Sequence, residues 1–376
     1  MGIGHPNLAQ YGAMPFTTAW RQFDAHYPRV VPLRLLMYTK NFKVNRVINL
    51  VGTKSWYPIG LSWFDFGIDY FDLMSDLVKH EILDQDIKVL FYYHEGDNPA
   101  HIKTRLDELV KKHNFPADCY HFISANTSAA SLENFSYFPD HEFFFRHVNR
   151  YQSVPMANPT QDFTVLNRLH KWWRASIMSD LQHRGLLDNS IWSYNTASTA
   201  SIDLEQDNPF ELDTVDGWRD RTKLFATTSH YCDNLTSMQH NDHHKVNTDL
   251  YTKSRCHIVI ETLFDVDQSG GTFLTEKTFK AIKYGQPFVI AGGPGSLQAL
   301  RDMGYRTFDN IINPVYDTIT NNTDRWLAIA DVLTELKRNP GWYEACAEDT
   351  AHNQKMFEHR AHAPVNRLLE ELKCLQ

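Results

Sequence analysis

The chain lacks paired cysteines, a long apolar run and an excess of positive charge, and each lack removes a class of protein. Its five cysteines, Cys119, Cys232, Cys256, Cys346 and Cys374, are odd in number, widely spaced and form no CxxC pair. They read as free thiols in a reducing compartment, which argues against a disulfide-stapled domain. No run of about 18 apolar residues occurs, so no helix is expected to span a membrane. The opening residues, with Gly4, His5, Pro6, Asn7 and Gln10, lack the basic-then-apolar pattern of a secretory leader. The expected location is therefore cytoplasmic, and the Asn-x-Ser/Thr triplets at Asn126, Asn134, Asn234 and Asn321 are not expected to meet a glycosylation machinery. A formal net charge of −8 offers no global attraction to nucleic acid or to an acidic membrane, although it leaves room for a local basic groove. No internal repeat or low-complexity segment is present. The glycine loop Gly292–Gly295 lacks the Lys-Ser/Thr ending of a P-loop, which excludes an ATPase of that kind.

What the chain does contain is ample core material. Its 376 residues are 42 % hydrophobic and 22 % charged, enough for two domains of ordinary size. Aromatic residues reach 13 %, which is high. Short apolar runs at Arg46–Val51, Ile87–Tyr93 and Tyr120–Ser124 suit buried parallel strands. Helical spacing over Tyr70–Leu83 and Ala100–His113 separates them, with Pro99 at the start of the second. Tyr151–Gln161, carrying Pro155 and Pro159, reads as a linker.

A second alternation follows. Strands are predicted at Phe163–Leu166, Ile191–Tyr194, His257–Glu261 and Pro287–Ala291. Helices are predicted at Lys171–His183, Glu276–Tyr284, Leu297–Met303, Asp324–Lys337 and Trp342–Phe357, with loops and one short helix across Asn195–Leu224. This order predicts an α/β protein of two Rossmann-like domains facing across a cleft. The expected division is 1–155, 156–345 and a C-terminal helical segment, 346–376, that packs back on the first domain.

Open α/β sheets bind ligands at the carboxyl ends of their strands, which ranks the loops. His94, Glu95 and Asp97 follow the strand Ile87–Tyr93 and are candidate general bases; the alternative is ordinary turn chemistry. Glu276 and Lys277 open a helix behind Thr275. The carboxylate can accept from both hydroxyls of a ribose and the Lys can neutralise a diphosphate. The competing reading is a helix start, with Thr275 as N-cap and Glu276 complementing the dipole. Arg168, Lys171 and Arg174 form a basic cluster after a strand, suited either to a diphosphate or to a solvated helix face. The group His240–His244 matches no standard metal spacing and reads as a polar loop.

Thr275-Glu276-Lys277 before a helix, then Gly285-Gln286-Pro287, an apolar strand and a glycine turn, resembles the donor-binding motif of GT-B glycosyltransferases. The likeness is nearest to the fucosyltransferase-like group, with His257–Glu261 as its preceding strand. Phe273 stands where that group usually has Tyr. The wider pattern, Leu166-Asn167-Arg168 with Arg174, Gly185–Asp188, Glu276–Pro287 and Gly304–Phe308 with Tyr316-Asp317, resembles glycosyltransferases of tailed bacteriophages.

The resemblance implies a nucleotide-sugar-dependent glycosyltransferase using a UDP- or GDP-linked donor. Donor contacts would come from Glu276, Lys277, Thr275, Arg168, Arg174, Gly271, Phe273 and Glu261, with Glu95 or Asp97 as the base. No metal is expected, since protein cations and helix ends usually stabilise the leaving diphosphate in such enzymes. The acceptor would be a hydroxyl, with a hydroxymethylated base in phage DNA as one class and a glycan or small molecule as the other. A non-catalytic nucleotide-sugar-binding protein is the alternative from a different class.

Overall fold

The computed structural model describes residues 55–61, 64–74, 76–148, 158–167, 170–196, 204, 208–232, 248–360 and 363–374. The strand expected at Arg46–Val51, the His240–His244 group and Arg168 lie outside the described residues, as does most of the expected linker.

In chain order the first elements are β1 (Ser55–Leu61), α1 (Asp76–Leu83), β2 (Ile87–Tyr93), α2 (Pro99–Lys112), β3 (Tyr120–Ser124), β4 (Phe135–Tyr137) and α3 (Asp140–Val148). There follow β5 (Gln161–Leu166), α4 (Trp172–His183), β6 (Ile191–Ser193), α5 (Trp218–Phe225), β7 (Ser254–Ile260), α6 (Glu276–Lys283), β8 (Phe288–Ala291) and α7 (Ser296–Asp302). Last come α8 (Asn322–Arg338), α9 (Ala347–His359) and α10 (Ala363–Cys374).

These elements form two compact units. The first holds the described residues through Val148, the segment Asp267–Gly271 and the chain from Arg360 onward. The second holds the described residues from 158 to Val266 together with Thr272–His359.

The first unit carries a parallel sheet in the order β1-β2-β3-β4. Its core is aromatic: Phe91 and Phe122 lie 5.9 Å apart, and Phe122 stacks on Phe135 at 5.0 Å. Much of the high aromatic content therefore fills space. The buried face of α2 is Ile102, Leu106, Leu109 and Val110, as its spacing predicts, and Asn98 caps it by accepting from the Ala100 amide.

Two expected helices change. The apolar positions of Tyr70–Leu83 are buried as expected at Phe71, Met74, Val78 and Ile82. Residues 70–74 nevertheless form turns and only 76–83 is helical, because Asp69 Oδ1 accepts from the Phe71 and Asp72 amides and holds the chain in a turn. The segment Trp342–Phe357 is two helices, Trp342–Ala345 and Ala347–His359, meeting at Cys346.

Glu142 on α3 is wholly buried. It accepts from Arg146 at 2.6 Å and from Arg360, just before α10, at 3.1 Å. A buried carboxylate between two guanidiniums holds the C-terminal segment within this unit, since removing one partner would strand a buried charge.

The second unit carries a parallel sheet in the order β6-β5-β7-β8. Both faces of β7 and β8 are covered, which explains their continuous apolar sequences. At the amino edge, Ser254 Oγ lies 2.5 Å from both Thr164 Oγ1 and Gln286 Nε2, which joins β5, β7 and the turn before β8.

Burial holds three histidines neutral. His94 and His121 fall from the ordinary 6.5 to about 4, and His257 to about 3, with desolvation the leading cause in each. Between about pH 4 and 6.5 the unfolded chain then binds more protons than the folded one, so stability rises with pH across that window. The urea midpoint is expected to fall between pH 7 and pH 5, and His121→Gln to flatten the fall. A midpoint unchanged over that range would contradict neutral burial of these rings.

Candidate functional site

The second sheet has a point where its winding reverses. The chain leaves β5 for β6 on one side and leaves β7 for β8 on the other, while β5 and β7 lie side by side. Loops leaving two such strands diverge and open a crevice at their carboxyl ends, which is where open α/β sheets hold ligands. Asn167 directly follows β5, and Glu261 and Thr262 directly follow β7.

Glu261 is 1 % exposed. Its Oε1 accepts from the Thr275 amide at 3.0 Å and from Thr278 Oγ1 at 2.6 Å, and its Oε2 accepts from Thr275 Oγ1 at 2.5 Å. The carboxylate thus ties the end of β7 to the first turn of α6. Thr275 is the N-cap of that helix, accepting from the Lys277 amide at 3.4 Å and from Lys277 Nζ at 3.0 Å. The sequence places Glu261 and Thr275 among ligand contacts. In the structure both position their neighbours.

Three cations converge on Glu261 and Thr262. Lys277 Nζ donates to Thr262 Oγ1 at 3.0 Å, Lys171 Nζ to the Thr262 carbonyl at 3.5 Å, and Arg174 Nη2 to the Glu261 carbonyl at 3.1 Å. Arg174 is buried, with its guanidinium 5.1 Å from the Trp173 ring centroid. All three stand at the starts of α4 and α6. A helix N-terminus carries partial positive charge, so helix stability alone would place acids there. Glu276 is the acid present, its Oε1 3.6 Å from Lys277 Nζ and its side chain 21 % exposed. Two helix starts and three cations make a local field suited to an anion.

Other expected contacts fall elsewhere. Phe273 is buried. Gly271 belongs to the first unit, where a Cβ on it would lie 2.5 Å from Asn126 Oδ1 and 2.7 Å from Ser128 Cβ. Glycine is required there by close packing against Asn126 and Ser128, which follow β3.

Two further side chains shape this edge: Arg325, which sequence reasoning missed, and Asp317, which it named without a role. Arg325 on α8, 1 % exposed, donates to the carbonyls of Gly292 at 3.1 Å, Ile319 at 2.9 Å, Thr320 at 3.1 Å and Phe264 at 2.6 Å. It joins the loops after β7 and β8, and burial lowers its pKa to about 10. Asp317 accepts from the Leu297 amide at 2.9 Å and the Gln298 amide at 3.1 Å, so the start of α7 already has its anion. Gly295, at φ 79°, makes the left-handed turn that presents those amides. Nothing local in the sequence separates Arg325 from a surface arginine, because its acceptors are backbone carbonyls supplied by other segments.

In the first unit, Tyr93 donates to Asp97 Oδ2, so that carboxylate serves the turn. Glu95 has its side chain 39 % exposed and Oε1 3.5 Å from His94 Nε2. At pKa about 4 that imidazole carries no charge near pH 7. Asn126, fully buried, donates through Nδ2 to the carbonyls of Gly96 at 2.9 Å and Ser269 at 2.7 Å, which fixes the loop carrying Glu95.

No family model and no curated protein matches this chain. Two solved structures are similar to it. One is a T4 phage BGT in complex with UDP and Mn2+, at 13 % identity over 77 % of this chain and 74 % of that one, with a TM-score of 0.36. The other is the DNA-modifying enzyme β-glucosyltransferase, solved in the presence and absence of the substrate uridine diphosphoglucose, at 11 % identity over 85 % of this chain and 98 % of that one, TM-score 0.36. Likeness of that degree assigns no residue a role here.

Among the described residues, one group could hold a metal ion: Asp69, Asp72 and His113 in the first unit, with ligand atoms within 4.8 Å of one another. Lys112 Nζ already lies 2.8 Å from Asp69 and 3.1 Å from Asp72. Burial would raise the Asp69 pKa, but hydrogen bonds from Lys112 and His113 bring it to about 2. Lys112 thus already sits against both carboxylates of the group.

Glu261→Gln replaces an all-acceptor carboxylate by an amide, which leaves a Thr donor facing an NH2 group. A loss of about 1–3 kcal/mol in unfolding free energy is expected from chemical denaturation. Full stability in the variant would remove Glu261 from the role of anchor.

Proposed function

We propose that this chain is a GT-B glycosyltransferase that moves a sugar from a nucleotide donor to a hydroxyl acceptor. One observation carries the reading: three cations and two helix starts gather at the reversal point between β5 and β7, around Glu261 and Thr262. That place suits the donor diphosphate, whose leaving charge is stabilised by positioned donors and cations. Lys277, Arg174 and Lys171 are assigned to the diphosphate. Glu276, on the same turn as Lys277, is assigned to the ribose hydroxyls, which a carboxylate accepts from in pairs. Arg168, between Asn167 and α4 in sequence, is assigned to the same diphosphate. Charge neutralisation by these groups needs no bound metal.

The acceptor assigned is a hydroxymethylated base in DNA, following the resemblance to phage enzymes. Glu95 is the assigned general base. Asp97 of the same loop accepts from Tyr93, the loop is held by Asn126, and the neighbouring His94 is neutral, so Glu95 is the carboxylate assigned to take a proton from an attacking hydroxyl. The net charge of −8 favours a glycan or small molecule as the second acceptor class.

Isothermal titration with UDP-glucose and GDP-mannose tests the donor. Glu276→Ala and Lys277→Ala are each expected to weaken binding at least about tenfold, the scale of one lost charge-assisted contact. Unchanged affinity in both would sink the assignment. Separately, Glu95→Gln is expected to keep donor affinity while turnover on hydroxymethylated DNA falls by about 100-fold or more. Retained turnover would reject this base. Donor binding without transfer or slow donor hydrolysis, across several donors, would make the chain a binding protein.

A further inference from the structure

Asn167 is 3 % exposed, yet among the described residues neither Nδ2 nor Oδ1 of its side chain has a hydrogen-bond partner. Its backbone is well placed: the amide donates to the Ser193 carbonyl at 3.1 Å and extends the pairing of β5 with β6. Buried amides without partners are rare in folded proteins, because the group has given up water for nothing. Leucine would fill the same volume without that penalty. The position explains what core packing does not. Continuing the register that sets Thr164 opposite His257 puts Asn167 level with Ile260, one residue before Glu261. It therefore stands at the reversal point, on the β5 side of the crevice, with Lys171 and Arg174 following on the same connection.

The chemistry of the orphaned pair narrows the ligand group. Nδ2 needs an acceptor and Oδ1 needs a donor. A phosphate oxygen only accepts, so it would complete Nδ2 and leave Oδ1 unmatched. A group that donates and accepts side by side completes both, and a nucleotide sugar carries two of these: the amide edge of its base and the hydroxyls of its sugars. We infer that Asn167 is a specificity residue of the donor site, completed by such a donor-and-acceptor group and not by the diphosphate. This rests on the proposed glycosyltransferase reading and adds the residue that distinguishes a nucleotide sugar from any other diphosphate.

The test compares wild type with Asn167→Leu and Asn167→Ala by isothermal titration. The probes are inorganic diphosphate, UDP, GDP, UDP-glucose and GDP-mannose. Asn167→Leu is expected to match or exceed wild type in thermal stability without ligand, since it removes two unmatched polar atoms. It should weaken the favoured nucleotide sugar about tenfold or more while leaving inorganic diphosphate unchanged. Asn167→Ala removes both polar atoms without adding charge, so the same loss is expected with inorganic diphosphate unchanged, and it carries the test alone if the Leu variant does not fold. Loss already present with the nucleoside diphosphate assigns the contact to the nucleoside; loss only of the increment from the attached hexose assigns it to the sugar. Equal affinity of wild type and variants for nucleotide sugars overturns the inference and leaves Asn167 as a water-filled defect. Equal weakening of inorganic diphosphate also overturns it, in favour of phosphate binding. A wild-type chain that binds none of the probes overturns the donor reading itself.

Discussion

The carboxyl edge of the second sheet depends on one buried carboxylate. Glu261 receives hydrogen bonds from Thr275 and Thr278, and through them sets where α6 begins and where Lys277 can reach. A buried acid without such donors would be costly, and helix donors without such an acceptor would be unmatched. Each solves the other's problem. Because Thr275 also accepts from Lys277 Nζ, the lysine is held at the edge of the crevice beside Thr262. Arg325 does related work one layer out, gathering four carbonyls from the loops after β7 and β8 and from the approach to α8. Rigid supports of this kind are what a binding site requires, since a mobile cation gives up part of its binding energy to being ordered.

Buried polar residues near strand and helix ends do not share one role in either unit. Glu261, Asp317 and Asn167 in the second unit and Asn126 in the first are all buried. Glu261 anchors a helix, Asp317 caps another, and Asn126 braces a loop. Of these four, Asn167 alone has no side-chain partner among the described residues. Hydrogen-bond accounting thus separates supports from groups that await something, a distinction residue type alone cannot make.

Much of the fold was legible in particular residues. The runs Ile87–Tyr93 and Tyr120–Ser124 are strands at the expected bounds because both faces are covered and their sequences are continuously apolar. Thr275 is the N-cap that its position before Glu276 predicts. What was not legible has physical reasons. Strand β1 contains Pro58 and Gly60, residues that read as breakers; it pairs only with β2 among the described strands, and an edge tolerates a proline that a central strand would not. Residues 70–74 carry helical spacing but lose the helix to the Asp69 turn. Glu276, Lys277 and Arg174 were visible as candidates, whereas the supporting role of Glu261 was not, because its partners lie 14 and 17 residues along the chain.

By itself the sequence determined the local and the compositional: several of the strands and helices, where one helix is capped, and that the cysteines form no closely spaced pair. Those properties depend on neighbours within about four residues or on counts. Only the tertiary structure decided the strand order that puts β5 beside β7, the convergence of Lys171, Arg174 and Lys277, and the use of each buried carboxylate and amide. These rest on hydrogen bonds between segments far apart in the chain, and a residue's own identity states what it can bond to without stating which partner the fold will bring.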